Sequence, residues 1–339
     1  MSVKPVRIRL AEGGGGEATA NLIKQVFWSR FNHPELRKGN DAAVLENPGG
    51  NLVVTTDSFV VSPWRFPGGD IGKLAVCGTV NDLTMMGAIP LGLTLGFIIE
   101  EGFEIEFLEQ IAESIAATAS EAGVPVIAGD TKVVNQGAAD GIFITSGGVG
   151  TANPEVRLGG EMARNGDQVI TTGTVGDHGA AILLARGEMG LMSDLCSDVA
   201  PLNQLLIPLV QKFGRGVRVL RDPTRGGLAT TLNEIARQSQ VSIRLYEKQI
   251  PVDPRVLGMT SLLGLDPLYL ANEGKAIMIV EPGIAGEIVN WLHQTPLGKN
   301  ARIIGEISSL HPGLVSIRNE IGGERILVMG SGEHLPRIC

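Results

Sequence analysis

The sequence predicts a mixed α/β protein built from two domains. Its 339 residues are enough for two hydrophobic cores of ordinary size. A composition of 43% hydrophobic and 19% charged residues is typical of a globular protein, and 46 glycines indicate many turns. In both halves, short apolar runs of strand character alternate with segments of helical periodicity. This interleaving of strands and helices predicts the fold class.

The first half is predicted to contain an N-terminal arm and helix at 1–35 and a domain at 36–152. The strongest helix is expected at 104–122, where apolar residues recur at spacings of three and four and Gly123 can serve as the C-cap. Asp70 is expected to cap a second helix that runs to about Met86. Strands are predicted at 42–45, 52–56, 91–99, 124–128 and 142–145.

Between residues 151 and 167 the periodicity disappears while glycine, proline and charge increase, so the domain boundary is placed there. The second domain is predicted at 156–330 and ends in a hairpin at 314–329 with a turn at Gly322 and Gly323. Residues 331–339 have no apolar pattern, which predicts a mobile tail. Other strands are expected at 167–173, 241–246, 275–280 and 301–307, and helices at 180–186, 201–213, 228–239 and 284–293.

Charge and cysteine content narrow the class of protein. Lys and Arg total 28 and Asp and Glu total 36, which gives a net charge of −8 and argues against nucleic acid as a partner. The cysteines, Cys77, Cys196 and Cys339, are far apart and form no C-x-x-C pair, so neither a disulfide framework nor a structural zinc site is expected. Neither a signal peptide nor a membrane span is apparent, and Cys339 is not in a prenylation box. A cytoplasmic location is therefore expected.

Two glycine-rich segments resemble nucleotide-binding loops but depart from them. GGGGEA contains the G-x-G-x-x-A pattern of dinucleotide-binding loops. The preceding VRIRL, however, is charged and is not typical of a buried strand. A flexible hinge is favoured there, although a glycine flap over phosphates, Gly13–Gly16, stays possible. GGDIGKL has three residues between the glycine and Gly-Lys where a P-loop has four. A P-loop enzyme is therefore not expected.

The most informative signal is a set of carboxylates that follow or precede apolar runs in the first domain: Asp41, Asp57, Asp82 and Asp130. Each alone is more often a turn residue or helix cap. Four in one half favour a site for Mg²⁺, which prefers oxygen ligands and commonly arrives with a nucleotide triphosphate. Lys132 lies two residues after Asp130, so both side chains share a face if that strand continues, which would place a cation beside a metal ligand.

The second domain offers weaker candidates. Asp222, Thr224 and Arg225 lie in a glycine-rich turn that opens a helix, an arrangement equally consistent with an anion site and with a helix cap. Glu273 precedes a strand and would by itself be read as a solvated surface residue. His178 is read as structural, since a lone histidine is more often structural than catalytic.

Five segments and the chain terminus together resemble a known family: TTDSFVVSPWRFPGGDIGKLAVCGTVNDLTMMGAIP, AGDTKVV, TGTVGDHG, DPTRGGL, ANEGK and the terminal PRIC. The chain is similar to the HypE family of hydrogenase maturation factors, within the superfamily of aminoimidazole ribonucleotide synthetase and selenophosphate synthetase. The resemblance covers essentially the whole chain, and the terminal PRIC distinguishes this family from the rest of the superfamily.

The resemblance implies a two-domain PurM-like fold, a homodimer paired through the N-terminal sheets, and an ATP-dependent carbamoyl dehydratase. The carbamoyltransferase HypF would load Cys339, and dehydration to a thiocyanate would supply cyanide to iron on a HypC–HypD scaffold. Asp41, Asp57, Asp82 and Asp130 would hold Mg²⁺ and ATP phosphates. The other implied roles are catalysis by Cys339, Lys132, Glu273 and Asp82 and nucleotide binding by Lys132 and Asp222.

Two alternatives remain at this stage. A selenophosphate or aminoimidazole ribonucleotide synthetase would use the same frame. Selenophosphate synthetase usually carries a reactive residue in its glycine-rich arm, where this chain has no cysteine. Aminoimidazole ribonucleotide synthetase has no use for a terminal thiol. A metal carrier would use Cys339 as a soft ligand, but a single thiolate makes a poor site, with only His334 nearby in sequence.

Overall fold

A computed structural model describes residues 6–13, 16–37, 45, 49–187, 190–330 and 338–339. Two sheets, each with helices packed against it, confirm the predicted mixed α/β class. Some sequence predictions fall partly or wholly outside these residues: part of the N-terminal arm with its glycine flap, the position of Asp41, nearly all of the strand at 42–45, and most of the tail at 331–339. None of the helices in the described ranges is long and apolar enough to cross a membrane.

The first domain is built on a four-stranded sheet in the order β1-β6-β4-β5, in which only β4 and β5 run parallel. Helices α3 and α4 cover one face of this sheet and pack on each other. Its elements are α1 (Gly16–Leu22), a π-helical turn (Ile23–Phe27), α2 (Pro34–Arg37), β1 (Asn51–Phe59), β2 (Arg65–Phe66), β3 (Gly69–Asp70), α3 (Ile71–Met85), β4 (Ala88–Glu100), α4 (Ile105–Ala122), β5 (Val126–Val134) and β6 (Ile142–Ala152).

The two helix ends predicted from sequence are found. The Asp70 side chain accepts a hydrogen bond from the backbone N–H of Lys73 at 2.9 Å and so caps α3. Gly123 ends α4 in the left-handed conformation, with φ of 69°. Strand β5 continues well past the predicted end at 128, so Asp130 and Lys132 lie within it. Asp57 likewise lies inside β1 and not after it.

The second domain is built on a seven-stranded sheet in the order β13-β12-β9-β11-β7-β10-β8. Only β12 and β9 pair in parallel, and the predicted hairpin is present as β12 and β13. Its elements are β7 (Gln168–Thr171), α5 (Asp177–Arg186), α6 (Asn203–Phe213), β8 (Val217–Arg221), α7 (Gly227–Gln238), β9 (Ser242–Tyr246), α8 (Pro254–Leu263), β10 (Ile277–Val280), α9 (Pro282–Leu292), β11 (Arg302–Ser308), β12 (Val315–Arg318) and β13 (Glu324–Ile326).

Two elements of the second domain were not predicted. Strand β8 has the sequence VRVLR, in which Arg218 is satisfied by ion pairs with Asp167 and Glu281 that come from distant parts of the chain. Helix α8 buries few residues, so its sequence shows little amphipathic periodicity. In both cases, tertiary contacts determine the structure and the local pattern carries little signal.

A buried asparagine joins the two domains beside the site. The Asn81 side chain, on α3, donates to the carbonyl oxygens of Ala200 at 3.1 Å and Glu273 at 3.3 Å. Its Oδ1 accepts from the backbone N–H of Leu202 at 2.8 Å. Since buried amides without partners are costly, this set of bonds fixes the first domain against the segments that carry the second domain's acids.

Candidate active site

Four carboxyl groups from four different segments meet where the domains face each other. Asp57 comes from β1, Asp82 from α3, Asp222 from the turn after β8, and Glu273 from the segment before β10. Burial is the main cause that raises the pKa of Asp222 and Glu273, and the charges of Asp57 and Asp82 add to it, so the four groups lie close enough to interact. Such a cluster is unfavourable unless protons or cations neutralise it.

The two acids of the first domain are held by their own elements. Thr55 Oγ1 on β1 donates to Asp82 Oδ2 at 2.7 Å, which links the strand to the helix. Burial raises the pKa of Asp57, while the Ser58 backbone N–H and the charge of Arg225 oppose the shift. Burial also raises the pKa of Asp82, and the nearby charge of Asp57 adds to this effect. Both groups would therefore gain from a bound cation.

The acids of the second domain are perturbed more strongly. Burial, and then the charge of Asp82, raise the pKa of Asp222 to about 7. Burial raises the pKa of Glu273 well above its usual range, and the charges of Asp222 and Asp198 add to the effect. Glu273 is only 3% exposed, and its Oε1 has no hydrogen-bond partner within the described part of the chain. A buried carboxyl with an unused oxygen beside other acids fits a group that meets a proton, cation or substrate.

Two arginines place positive charge near this cluster, one at the end of β8 and one in the turn that opens α7. The charge of Arg225 acts on Asp57, and that of Arg221 acts on Asp82 and Asp222. Gly226 and Gly227 adopt φ of 77° and 59°, which allows the chain to turn tightly from Arg225 into the helix. The anion-site interpretation of this turn is thus compatible with its position beside the acids.

Asp198 organises the segment before β10 and was missed in the sequence. Its side chain accepts from Lys275 Nζ at 3.2 Å, from Asn272 Nδ2 at 3.0 Å and from the backbone N–H groups of Glu273 and Gly274, both at 3.2 Å. Burial opposes ionisation, but Lys275 and these hydrogen bonds outweigh it and lower the pKa of Asp198. No motif marks Asp198, because its partners lie more than seventy residues away.

The chain terminus is docked at the same place. Ile338 is 5% exposed and belongs to the core of the first domain, against which Cys339 packs. The Val60 backbone N–H donates to a backbone carboxylate oxygen of Cys339 at 3.0 Å, and the buried His178 contacts the Ile338 carbonyl through Nε2 at 2.6 Å. Burial raises the pKa of the Cys339 thiol to about 12, and the charge of Glu273 is the next cause. The thiol therefore lies close to the acid cluster.

Other predicted site residues are not brought into this cluster within one chain. Asp130 and Lys132 share a face of β5, as predicted for a continuing strand, and form an ion pair at 3.0 Å. Asp57 pairs with Ser146, which pairs with Leu95, which pairs with Gly129, so Asp130 belongs to the opposite face of the sheet. Asp41 lies outside the described residues, as do Gly14 and Gly15 of the proposed flap.

The described side chains do not form a complete metal site by themselves. No group of three or more His, Cys, Asp or Glu residues among them is arranged to hold a metal ion. The donors that do cluster are carboxylate oxygens, which suit Mg²⁺ and not a soft metal. Because Mg²⁺ keeps several waters and is commonly bound through one or two carboxylates plus phosphates, Asp57 and Asp82 fit an ion that arrives with a nucleotide.

Comparison with known proteins adds an independent line of evidence about the family to which the chain belongs. Residues 39–152 match the family described as AIR synthase related protein, N-terminal domain, and residues 164–313 match the corresponding C-terminal domain. A protein of Rhizobium leguminosarum bv. viciae, named carbamoyl dehydratase HypE, is 48% identical over 339 residues, which cover 100% of this chain and 97% of the relative.

Two solved structures are similar along nearly the whole chain. The hydrogenase maturation protein HypE in complex with ATP is 46% identical with a TM-score of 0.93, covering 98% of this chain and 99% of that chain. A HypE–HypF complex contains a chain that is 47% identical with a TM-score of 0.80, covering 91% of this chain and 99% of that one.

Proposed function

The chain belongs to the HypE family of carbamoyl dehydratases, and we propose that it uses ATP to dehydrate a carbamoyl group carried on Cys339, which supplies cyanide for nickel–iron hydrogenase maturation. The observation that carries this proposal is the docked terminus, which brings the Cys339 thiol near enough to Glu273 and Asp57 for their charges to act on it. An enzyme that acts on a free substrate would not need a C-terminal tail that brings a thiol to the site. The family membership and the geometry thus support the same reaction.

The dehydration must expel the oxygen of a primary amide. In the proposed sequence, the carbamoyl oxygen attacks the γ-phosphorus of ATP and ADP leaves. The two N–H protons are then removed, and the C–O bond breaks with its electron pair going to phosphate, which leaves a C≡N group on sulfur. Phosphate is a far better leaving group than hydroxide, so phosphorylation of the oxygen makes its expulsion possible.

Residues of this chain would supply the proton acceptor and the charge balance. Glu273 lies beside the thiol and is proposed to accept an N–H proton; its raised pKa would fall once cations enter the cluster. Arg225 is positioned to balance phosphate charge from the second domain. Mg²⁺, proposed to be held by Asp57 and Asp82 with help from Asp41, would neutralise the triphosphate and activate it for transfer.

The docked thiol is suited to carry a group and not to attack one. With its pKa raised to about 12, the Cys339 thiol stays protonated at neutral pH, and only the thiolate is a good nucleophile. Loading by a carbamoyltransferase therefore requires the terminus to leave this position, whereas the loaded sulfur has no proton to lose. The tail is proposed to alternate between a partner's site and this one.

Three interactions follow from the proposal. HypF is the proposed carbamoyl donor, supported by the similar chain in the HypE–HypF complex, and a HypC–HypD scaffold is the proposed acceptor of cyanide. A second copy is the third partner, since the uncovered face of the four-stranded sheet presents Leu52, Val54 and Ile98. We place the reaction in the cytoplasm, where Cys77, Cys196 and Cys339 would stay as free thiols.

Pairing through that face would give Asp130 and Lys132 a role that one copy does not show. Both side chains lie on the uncovered face and are more than half exposed, at 69% and 65%. In a dimer joined there they would lie at the contact between copies. Lys132 is therefore proposed to contact phosphate or the reacting amide, and Asp130 to hold Mg²⁺, from that position.

Intact mass spectrometry tests the proposal directly. After incubation with the carbamoyltransferase and carbamoyl phosphate, the chain should gain about 43 Da at Cys339, and Mg-ATP should then remove about 18 Da, one water. Cys339→Ser should block the gain, while Cys196→Ser should not, because Cys196 is exposed and lies outside the cluster. An adduct that Mg-ATP leaves unchanged would contradict the proposal. Tight, Cys339-dependent metal binding without ATP would instead favour a metal carrier.

A further inference from the structure

The docked position of the terminus depends on three contacts made by its last two residues. The Ile338 side chain is buried, a carboxylate oxygen of Cys339 accepts from the Val60 N–H, and the Ile338 carbonyl meets Nε2 of His178. The first two contacts come from the first domain. The third comes from α5 of the second domain. The His178 hydrogen bond therefore fixes the position of the terminus relative to that domain.

The hydrogen bonds of His178 define its tautomer. A backbone carbonyl can only accept, so Nε2 must carry the proton that is donated to Ile338 over 2.6 Å. In the neutral ring Nδ1 is then an acceptor, and it takes a hydrogen bond from Ser197 Oγ at 2.7 Å. The Ser197 oxygen in turn accepts from the Val199 N–H at 3.1 Å. The ring is thus set with its single donor aimed at the terminus.

The imidazole also has no room to turn. His178 is 0% exposed, and its ring meets Phe66 edge to face with centroids 5.4 Å apart. The Ser197 backbone N–H donates to the Pro67 carbonyl at 2.8 Å, which ties the serine to the same neighbourhood. A buried donor with a fixed orientation is the kind of support that holds a reacting group within a narrow range of positions.

The helix that carries His178 also carries the contact to the segment of Glu273. The next residue, Gly179, donates its backbone N–H to the Ala271 carbonyl at 3.0 Å. A Cβ on Gly179 would lie 3.0 Å from the Ala271 nitrogen, so the two segments pack closely at this glycine. Consecutive residues of α5 therefore fix the terminus on one side and the proposed proton acceptor on the other.

We propose that His178 is a positioning residue that holds the loaded terminus in register with Glu273, through the hydrogen bond from Nε2 to the Ile338 carbonyl. The residue does not touch the reacting atoms. It stabilises the docked terminus relative to the extended one and thereby favours dehydration over loading. The reaction part of this inference rests on the proposed function, whereas the docking part does not.

The three cysteines provide an internal measure of docking. Iodoacetamide labelling of the unloaded protein, read peptide by peptide, should modify exposed Cys196 quickly, docked Cys339 slowly and fully buried Cys77 only on unfolding. In His178→Leu, loss of the hydrogen bond should speed Cys339 labelling about tenfold. His178→Gln, whose amide can donate from a similar position, should restore most of the protection. Cys77 and Cys196 should not change in either variant.

Single turnover separates positioning from a general structural role. Protein loaded by the carbamoyltransferase should lose water on addition of Mg-ATP about tenfold more slowly in His178→Leu, with recovery in His178→Gln. Loading itself should be at least as fast as in the wild type, since the undocked terminus is the form that is loaded. This opposite effect on two steps is not expected from a loss of fold.

Three results would overturn the inference. The first is unchanged Cys339 labelling in His178→Leu. The second is faster labelling of Cys339 and Cys77 together, which would mean that the change loosens the whole core. The third is faster Cys339 labelling with dehydration unchanged, which would show that docking through His178 does not serve the reaction. If the wild type itself did not dehydrate, the proposed function would fail while the labelling comparison still decided the docking.

Discussion

Asp222 shows how the site behaves at the scale of single residues. Its carboxyl group lies among Asp57, Asp82 and Glu273, and burial raises the pKa of all four groups; neighbouring acid charges raise it further for Asp82, Asp222 and Glu273. A cluster of this kind costs the folded chain free energy whenever its members ionise. In the absence of bound cations, the site is therefore a source of instability that the ligand would relieve.

The first prediction concerns the pH dependence of stability. The pKa of Asp222 is raised from 3.8 to about 7, so the folded state binds more protons than the unfolded state between these values. The free energy of unfolding should therefore fall as pH rises through this window. In EDTA, Asp222→Asn should be more stable than the wild type by about 4 kcal/mol at pH 8 and nearly equal at pH 4, as measured by urea unfolding. A variant less stable than the wild type at pH 8 would refute this.

The second prediction concerns the proposed charge partners of ATP. Lys132→Ala and Asp82→Asn should keep the fold but slow dehydration of the loaded protein at least about a hundredfold, since Lys132 is proposed to contact phosphate and Asp82 to hold the Mg²⁺ that neutralises it. Lys248→Ala is the matched control, because Lys248 is also an exposed lysine in a carboxylate ion pair, with Glu320, on the other domain. Full turnover in both site variants would show that the assignment is wrong.

At the scale of elements, the turn into α7 aligns the second domain's contribution. Gly227 has φ of 59°, and a Cβ there would lie 2.5 Å from the Leu270 carbonyl oxygen and 2.7 Å from that of Leu268. The turn carrying Asp222 and Arg225 is thus pressed against the segment that leads to Glu273. Close packing at this glycine sets the relative positions of the two segments.

The third prediction follows from that contact. Gly227→Ala should destabilise the protein by about 1–3 kcal/mol more than Gly264→Ala, because only the first must displace backbone. Gly264 is a suitable control since its φ of 68° is similar and a Cβ there would meet nothing within 4 Å. Thermal and urea unfolding provide the measurement. Equal losses would mean that the left-handed conformation alone, and not the close approach, determines the cost.

The same scale shows what the sequence could predict and why the rest was hidden. Amphipathic periodicity predicted α4, and end signals predicted the N-cap of α3 and the C-cap of α4, because an apolar helix face and a cap are local properties. The separation of Asp57 from Asp130 was hidden, because it depends on strand order and register across three strands. The role of Asp198 and the docking of Cys339 were also hidden, since both depend on contacts between residues far apart in the chain.

At the scale of the whole molecule, one face of the four-stranded sheet is left uncovered by the elements that the structure describes. On this face Leu52 is 61% exposed, Val54 75% and Ile98 40%. The other face is buried against α3 and α4, where it forms a hydrophobic core. Apolar residues grouped on one sheet face are typical of an interface. This supports the proposed pairing of two copies through their first domains.

The fourth prediction tests that pairing. The wild type should have the mass of a dimer by light scattering after gel filtration, and Val54→Lys should shift it toward a monomer, because an unpaired charge buried in an apolar contact is costly. Ile321→Lys serves as the control, since Ile321 is 94% exposed in the hairpin turn of the second domain. A dimer that Val54→Lys leaves intact would place the contact elsewhere.

The central claim is that ATP activates the oxygen of a carbamoyl group carried on Cys339. The most direct measurement uses protein loaded with an ¹⁸O-labelled carbamoyl group and then given Mg-ATP. The account predicts that phosphate released from ATP contains one ¹⁸O atom for each thiocyanate formed on Cys339. Recovery of the label in water, or its retention on the protein while ATP is hydrolysed, would contradict the account.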